Sequence, residues 1–321
     1  MYNFFSVKDV VNVYKIVKES LFLKKNPYSF KYIGKNKTIG LVFFNPSLRT
    51  RISCQKAAFN LGCNIWVLNV NKDSWNIEMN DGTVMKTTQE HLKEAISVMS
   101  LYCDILGVRT FPNLLNKNYD YEEIIFKKIL RYSRVPVINL ESATLHPLQS
   151  LADIITIAEH SSFFKKKCKV VLSWVPHIKP LPHSVVNSLI QWITKIKEIE
   201  FCITYPEQYD LHEKFIRDYK GKIYYNQNKA LLNSDFVYAK NWSSCVVKYG
   251  KILCKDRKWM ITKEKMKLTN KAKFMHCLPV RRNIVVEDSV LDSNDSIVLQ
   301  QAENRIYASQ IIFLKIFQSL L

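Results

Sequence analysis

Short apolar runs alternate along the chain with stretches in which apolar positions recur every three to four residues, a rhythm that predicts strands and helices in turn. Strands are expected at 39–44, 65–70, 104–108 and 136–140, separated by helices at 47–61, 90–102 and 121–132. A helix opening at Pro147, where proline suits the first turn, leads to a second series with strands at 169–174, 201–204, 236–239, 274–278 and 296–299. The final segment, 301–321, is apolar along one side and reads as a helix that packs against another part of the protein.

Strands alternating with helices imply parallel sheets covered on both faces, with ligands at the carboxyl ends of the strands. The predicted fold class is therefore α/β, with two doubly wound parallel-sheet domains at 1–145 and 146–300 and a C-terminal helix, 301–321, returning to the first domain. The opening twenty residues read as an amphipathic helix without the continuous apolar stretch of a secretory signal, and no apolar run approaches the ~18 residues of a membrane span. A cytoplasmic protein with no membrane partner is expected.

The net charge of +19 raises the question of nucleic acid, but lysine supplies 37 of the 47 positive charges and is spread along the whole chain. No basic stripe with interleaved aromatics accompanies it, so the excess reads as compositional and no nucleic-acid partner is expected. Seven glycines form neither GxGxxG nor GxxxxGK[ST], and eight cysteines form no CxxC pair. Neither a dinucleotide, a P-loop nucleotide nor a zinc ribbon is indicated, and no metal or cofactor is expected. Arginine is scarce, and six of the ten arginines stand at Arg49, Arg51, Arg109, Arg281, Arg282 and Arg305. Where lysine is the common cation, a guanidinium suggests bidentate recognition of phosphate or carboxylate.

The most informative segment is Phe43-Phe44-Asn45-Pro46-Ser47-Leu48-Arg49-Thr50-Arg51, between a predicted strand and the helix after it. Free N–H groups and the helix dipole make a first turn attractive to anions and unfavourable for cations. Two arginines there are mismatched unless an anion neutralises them, although a solvated basic cap has the same pattern.

This segment resembles the Ser-x-Arg-Thr-Arg phosphate loop of the aspartate and ornithine carbamoyltransferase family. Leu106-Gly107-Val108-Arg109, His146-Pro147-Leu148-Gln149 and His276-Cys277-Leu278-Pro279 match further segments of that family in the same order. The resemblance implies that Ser47, Leu48, Arg49 and Thr50 hold the phosphate of carbamoyl phosphate. It implies that Arg109, His146 and Thr50 polarise the carbamoyl carbonyl, and that Gln149 with the backbone carbonyls of Cys277 and Leu278 accepts hydrogen bonds from the carbamoyl NH2. It also implies a cis Leu278-Pro279 bond and a homotrimer with shared active sites, the loop around Trp75 reaching a neighbouring subunit. Cys277 reads as a buried strand cysteine rather than a nucleophile.

The free-ornithine pattern Asp-x-Trp-x-Ser-Met-Gly is absent. The corresponding stretch, Ala239-Lys240-Asn241-Trp242-Ser243-Ser244, carries a lysine that would repel an α-ammonium and attract a carboxylate. With Trp174-Val175-Pro176-His177 and Arg281-Arg282-Asn283, it resembles the branch acting on N-succinyl- or N-acetylornithine. By that resemblance Glu141, His177, Lys240 and Arg281 bind the acylated ornithine, and Arg305 helps hold carbamoyl phosphate. Gln89 stands where the succinyl type has proline and the acetyl type glutamate, and Val285 where the acetyl type has lysine. The reading is N-succinylornithine, then N-acetylornithine, then ornithine. The alternative of another class is a catalytically silent protein that binds anions or nucleic acid.

Overall fold

A computed structural model describes residues 1–70, 72–161 and 167–321. The chain divides into two compact units, one of residues 1–113, 118–148 and 305–321, the other of 114–117 and 149–304.

The first unit is built on β1 (Thr38–Phe43) and β2 (Asn64–Asn69), with a separate short parallel pair, β3 (Ile77–Glu78) and β4 (Glu90–His91), and then β5 (Ile105–Arg109) and β6 (Val137–Glu141). Its main sheet is parallel throughout, in the order β2-β1-β5-β6. Four of the five β1 residues after Thr38 are apolar and all five are buried, as a strand covered on both faces requires. Gly40 lets the Trp66 indole of the adjacent strand lie flat on β1, since a Cβ there would come within 2.3 Å of the ring. Helix Leu48–Leu61 follows β1 and ends on Gly62, whose φ of +78° closes it in the left-handed conformation. Helices Leu92–Met99 and Ile124–Tyr132 supply Leu92, Ile96, Phe126 and Ile129 to a core with Val42, Leu106, Val108 and Val137 of the sheet.

The second unit holds β7 (Cys168–Ser173), β8 (Ile199–Thr204), β9 (Lys222–Tyr224), β10 (Phe236–Ala239) and β11 (Lys273–Met275) in the parallel order β11-β10-β7-β8-β9. Val171, Val237, Ala239 and Phe274 pack with Ile261, Val285 and Val286 on one face.

In each sheet the chain winds outward from a central strand, then returns to its other side. The reversal falls between β1 and β5 in the first sheet and between β7 and β10 in the second. Such switch points open a crevice at the carboxyl ends of the two strands.

Several elements differ from those expected: the opening helix starts only at Val13 and runs to Lys25, and the strand expected at 274–278 ends at Met275. The helix expected at 121–132 is two, Lys117–Tyr121 and Ile124–Tyr132, because Glu123 takes φ +53° and turns its carboxylate inward onto Ser142 and Thr144. The strand expected at 296–299 is one parallel bridge from Ser296 to Phe274, and Val298 already starts a helix, Val298–Leu320. Edge strand β9 was not expected, its Lys222 and Ile223 being exposed.

The helix Pro147–His160 starts in the first unit and belongs from Gln149 to the second; Val298–Leu320 runs the opposite way, entering the first unit at Arg305. There Asn60 donates to Gln310 at 2.9 Å, and Lys315 pairs with Glu19 at 2.9 Å.

Candidate active site

At the switch point of the first sheet, the loop after β1 turns into helix Leu48–Leu61 with Ser47 as the extended N-cap residue. Arg49 and Thr50 thus lie in the first turn, where backbone N–H groups point out of the helix end. Leu48 is exposed, Arg49 half-buried and Thr50 buried.

Arg109 ends β5 next to that loop. Its Nη1 donates to the carbonyls of Asn45 and Pro46, both at 2.9 Å, while Nε and Nη2 reach Glu141 Oε2 at 3.1 and 2.8 Å. Four of its five N–H donors are therefore engaged by the protein, and one remains on Nη2. The guanidinium also lies over the Phe111 ring, 4.8 Å from its centroid. So held, Arg109 can offer a ligand a single hydrogen bond, which suits a carbonyl oxygen better than a phosphate face.

His146 is buried with Nε2 3.7 Å from the same Glu141 oxygen. Burial pushes its pKa down to about 3; the Glu141 carboxylate opposes that shift, and Arg305, Arg109 and Arg49 add to it. The imidazole is neutral near neutral pH, a hydrogen-bonding group rather than a proton reservoir. Arg305, on the C-terminal helix, donates from Nη2 to Thr50 Oγ1 at 2.5 Å. Arginine cannot accept, so the Thr50 proton points away from it and the hydroxyl is a donor to whatever binds there.

The segment leading to His146 is held by a residue that the sequence did not single out. The Glu123 carboxylate accepts from Ser142 Oγ at 2.6 Å, Thr144 N at 2.8 Å and Thr144 Oγ1 at 2.5 Å. Nothing in the local pattern distinguishes Glu123 from its neighbour Glu122.

In the second unit, Gln149 donates from Nε2 to Asp153 Oδ1 at 2.8 Å, and Gln301 donates to the same oxygen at 2.7 Å. Gln301 in turn accepts from the His276 backbone N–H at 2.9 Å, and His276 Nδ1 accepts from Leu278 N at 2.9 Å. The Leu278-Pro279 bond is cis. Cys277, expected as a buried strand cysteine, is half-buried and stands beyond the end of β11 at Met275; its thiol is in no disulfide.

The switch point of this sheet carries another group. Trp174 to His177 follow β7, and Lys240 to Ser244 follow β10. Asn241 donates to the Val175 carbonyl at 2.7 Å, and Trp174 Nε1 to the Trp242 carbonyl at 2.9 Å, so the two loops brace each other. His183 Nε2 lies 2.7 Å from the Ser243 carbonyl and also holds the second loop. Lys240 is buried, with Nζ donating to its neighbour's carbonyl at 2.5 Å. Arg281 Nε donates to His177 Nε2 at 3.2 Å. His177 Nε2 must then be the unprotonated nitrogen, and Nδ1–H donates to the Lys179 carbonyl at 2.8 Å. Burial lowers the His177 pKa, and Lys240, Arg281 and Lys179 lower it further. Lys240, Arg281 and His177 therefore share one cationic neighbourhood.

Among the predicted site residues, Arg49, Thr50, Arg109, Glu141, His146 and Arg305 come together in the first unit. Gln149, His177, Lys240, Cys277, Leu278 and Arg281 belong to the second. Trp75 and Gln89 lie beside the β3–β4 pair, where Trp75 Nε1 donates to Glu90 at 2.9 Å and Gln89 N to the Asn76 carbonyl at 3.2 Å. Both side chains are exposed.

Residues 3–159 match the aspartate/ornithine carbamoyltransferase carbamoyl-P binding domain, and residues 181–316 match the Asp/Orn binding domain of the same family. The chain belongs to the aspartate/ornithine carbamoyltransferase family. Within this carbamoyltransferase family it is 44% identical, over the full length of both chains, to the N-succinylornithine carbamoyltransferase of Bacteroides fragilis (strain 638R). It is 38% identical to the N-acetylornithine carbamoyltransferase of Xylella fastidiosa (strain Temecula1), over 87% of each chain. Among solved structures, acetylornithine transcarbamylase complexed with acetylcitrulline superposes with a TM-score of 0.89 at 34% identity, covering 98% of this chain and 99% of that one. A single-residue Glu→Pro variant of N-acetyl-L-ornithine transcarbamylase, complexed with carbamyl phosphate and N-succinyl-L-norvaline, matches with a TM-score of 0.90 at 34% identity over 98% of this chain and 100% of the other.

Proposed function

We propose that this carbamoyltransferase moves the carbamoyl group of carbamoyl phosphate to the δ-amine of N2-succinylornithine, yielding N-succinylcitrulline and phosphate in cytoplasmic arginine biosynthesis. The observation that carries the acceptor reading is the buried Lys240 sharing a neighbourhood with Arg281 and His177. A free α-ammonium would be repelled there, whereas an acylated nitrogen is neutral and the carboxylates beside it are attracted. End-to-end similarity to N-succinylornithine carbamoyltransferases supports the succinyl group. So does the complex of N-succinyl-L-norvaline with a neighbour in which a glutamate is replaced, because Gln89 likewise lacks that acid. N-acetylornithine is the second reading, supported by the acetyl-type relatives.

In this reaction Ser47, Leu48, Arg49 and Thr50 hold the phosphate at the helix start, Arg49 as a two-pronged donor, with Trp75 and Arg305 completing the phosphate contacts. The neutral δ-amine attacks the carbamoyl carbon, and the carbonyl oxygen gains charge. That charge falls on the remaining Arg109 Nη2 proton, the Thr50 hydroxyl and neutral His146, which need no reorganisation because the protein already holds them. Gln149 and the carbonyls of Cys277 and Leu278 accept from the carbamoyl NH2. The C–O bond to phosphate then breaks, and the departing phosphate takes the proton lost by the amine. The active assembly is a homotrimer in which the Trp75 loop completes a neighbour's site.

The test is product formation from carbamoyl phosphate with N-succinylornithine, N-acetylornithine and ornithine side by side. The highest kcat/KM is expected for the succinyl compound; a preference for ornithine would overturn the role of Lys240.

A further inference from the structure

The carbamoyl NH2 must meet acceptors, yet Gln149 ends in an amide that can present either an oxygen or an NH2 group. Which end faces the ligand depends on what holds the other. Here Nε2 donates to Asp153 Oδ1, one turn along the same helix, at 2.8 Å. That oxygen also takes Gln301 Nε2 at 2.7 Å, and Gln301 Oε1 accepts the His276 N–H at 2.9 Å. His276 Nδ1 then accepts from Leu278 N at 2.9 Å, fixing the segment whose carbonyls serve the ligand. Gln149, Asp153 and Gln301 are at most 1% exposed, so water does not compete for these bonds.

We propose that Asp153 is a positioning residue: one carboxylate oxygen orients both sets of carbamoyl-amide acceptors, the Gln149 side chain directly and the Cys277–Leu278 carbonyls through Gln301 and His276. A carboxylate can only accept, so it forces both glutamines to turn NH2 groups inward. Gln149 must then turn its Oε1 outward, and Gln301 must aim its oxygen at the His276 N–H. A neutral amide or hydroxyl at position 153 would not impose this as strictly. Tyr238, fully buried, has its phenol pKa raised by burial and by this carboxylate. It therefore stays protonated and carries no charge of its own beside Asp153. The inference rests on the reading that Gln149 and the two carbonyls receive the carbamoyl NH2.

The experiment compares phosphonoacetamide, which keeps the NH2, with 2-oxopropylphosphonate, which has methyl in its place, by calorimetric binding to the intact enzyme. The parent is expected to prefer the amide by about tenfold, as two or so hydrogen bonds allow. Asp153→Leu should bring the ratio to within about twofold while leaving the methyl ketone's affinity unchanged, because only the acceptors have turned. Asp153→Asn, which keeps an acceptor oxygen, should restore most of the preference. Gln301→Met leaves Asp153 and Gln149 paired, and should lose only part of the preference, to about threefold; this variant decides the matter if Asp153→Leu does not fold. An unchanged ratio in Asp153→Leu and Gln301→Met, or equal weakening of both ligands, overturns the role of Asp153. If the parent has no preference, or Gln149→Ala keeps it, the underlying reading of Gln149 fails instead.

Discussion

Arg109 and Glu141 face each other at the carboxyl ends of two neighbouring strands, with Nη2 of the arginine 2.8 Å from Oε2 of the glutamate and both side chains buried. The same oxygen lies 3.7 Å from His146 Nε2. Glu141 therefore balances the arginine and histidine through which the carbonyl would be polarised. Removing one partner of a buried pair strands the other, typically at about 3–5 kcal/mol. Glu141→Gln is expected to lose about 3 kcal/mol of stability in urea unfolding and to raise KM for carbamoyl phosphate as well as for the acceptor. A rise in acceptor KM alone, at unchanged stability, would make Glu141 purely an acceptor contact.

Two buried histidines make the fold acid-sensitive. His146 is pushed down to about 3 and His183 to about 4, in both cases mainly by burial. Unfolded, each takes up a proton near its ordinary value of about 6.5. Below that pH the unfolded chain holds protons that the folded one refuses, so stability is full above pH 6.5 and falls as pH drops toward 4, by at most about 1.4 kcal/mol per pH unit per histidine. Urea midpoints measured at pH 7.5 and 4.5 should show this loss, and His183→Gln should reduce it. An identical acid loss in the variant would assign the sensitivity elsewhere.

The parallel sheets were legible because buried strands such as 236–239 are unbroken apolar runs between amphipathic helices, and the proposed phosphate loop stands out in the sequence because two arginines contradict a helix dipole. Less visible were the groups whose role depends on pairing across the fold. Glu123 reads as half of an ordinary Glu-Glu pair, and only the folded chain brings it to Ser142 and Thr144. Asp153 stood one turn beyond Gln149, a spacing that favours a Gln–Asp hydrogen bond on a helix. Its second partner, Gln301, lies far along the chain, beyond any local pattern. The missed edge strand Lys222–Tyr224 and the absent strand at 296–299 have a common cause: short segments whose state is decided by neighbours rather than by their own periodicity.

Acyl selectivity can be tested at Gln89. Its side chain is exposed beside the β3–β4 pair, and its backbone N–H is tied to Asn76 at 3.2 Å, next to Trp75. A glutamate there would leave this backbone bond intact and add a negative charge where the acyl group is expected. Gln89→Glu should therefore lower kcat/KM for N-succinylornithine, whose extra carboxylate is repelled, and spare N-acetylornithine. An unchanged ratio of the two specificity constants would place the acyl group away from residue 89.

Assembly can be tested by complementation. Trp75 is 55% exposed, and its indole N–H is directed at Glu90. An indole this open has apolar area left to cover, and a neighbouring subunit's site would cover it. If every site combines Arg49 of one subunit with Trp75 of the next, Arg49→Ala and Trp75→Ala homotrimers should both be nearly inactive. In a closed ring of three, each site needs an intact Arg49 followed by an intact Trp75. With random equal mixing each condition is met half the time, so about a quarter of the sites should regain activity, as cyclic symmetry dictates. The measurement is product formation after the two variants are dissociated, mixed and reassociated, with hybrid trimers verified by native mass. Recovery near a quarter requires sharing between subunits, because no site built from one chain could be repaired by mixing. Hybrids that form without regaining activity would assign Trp75 to its own subunit's site or to none.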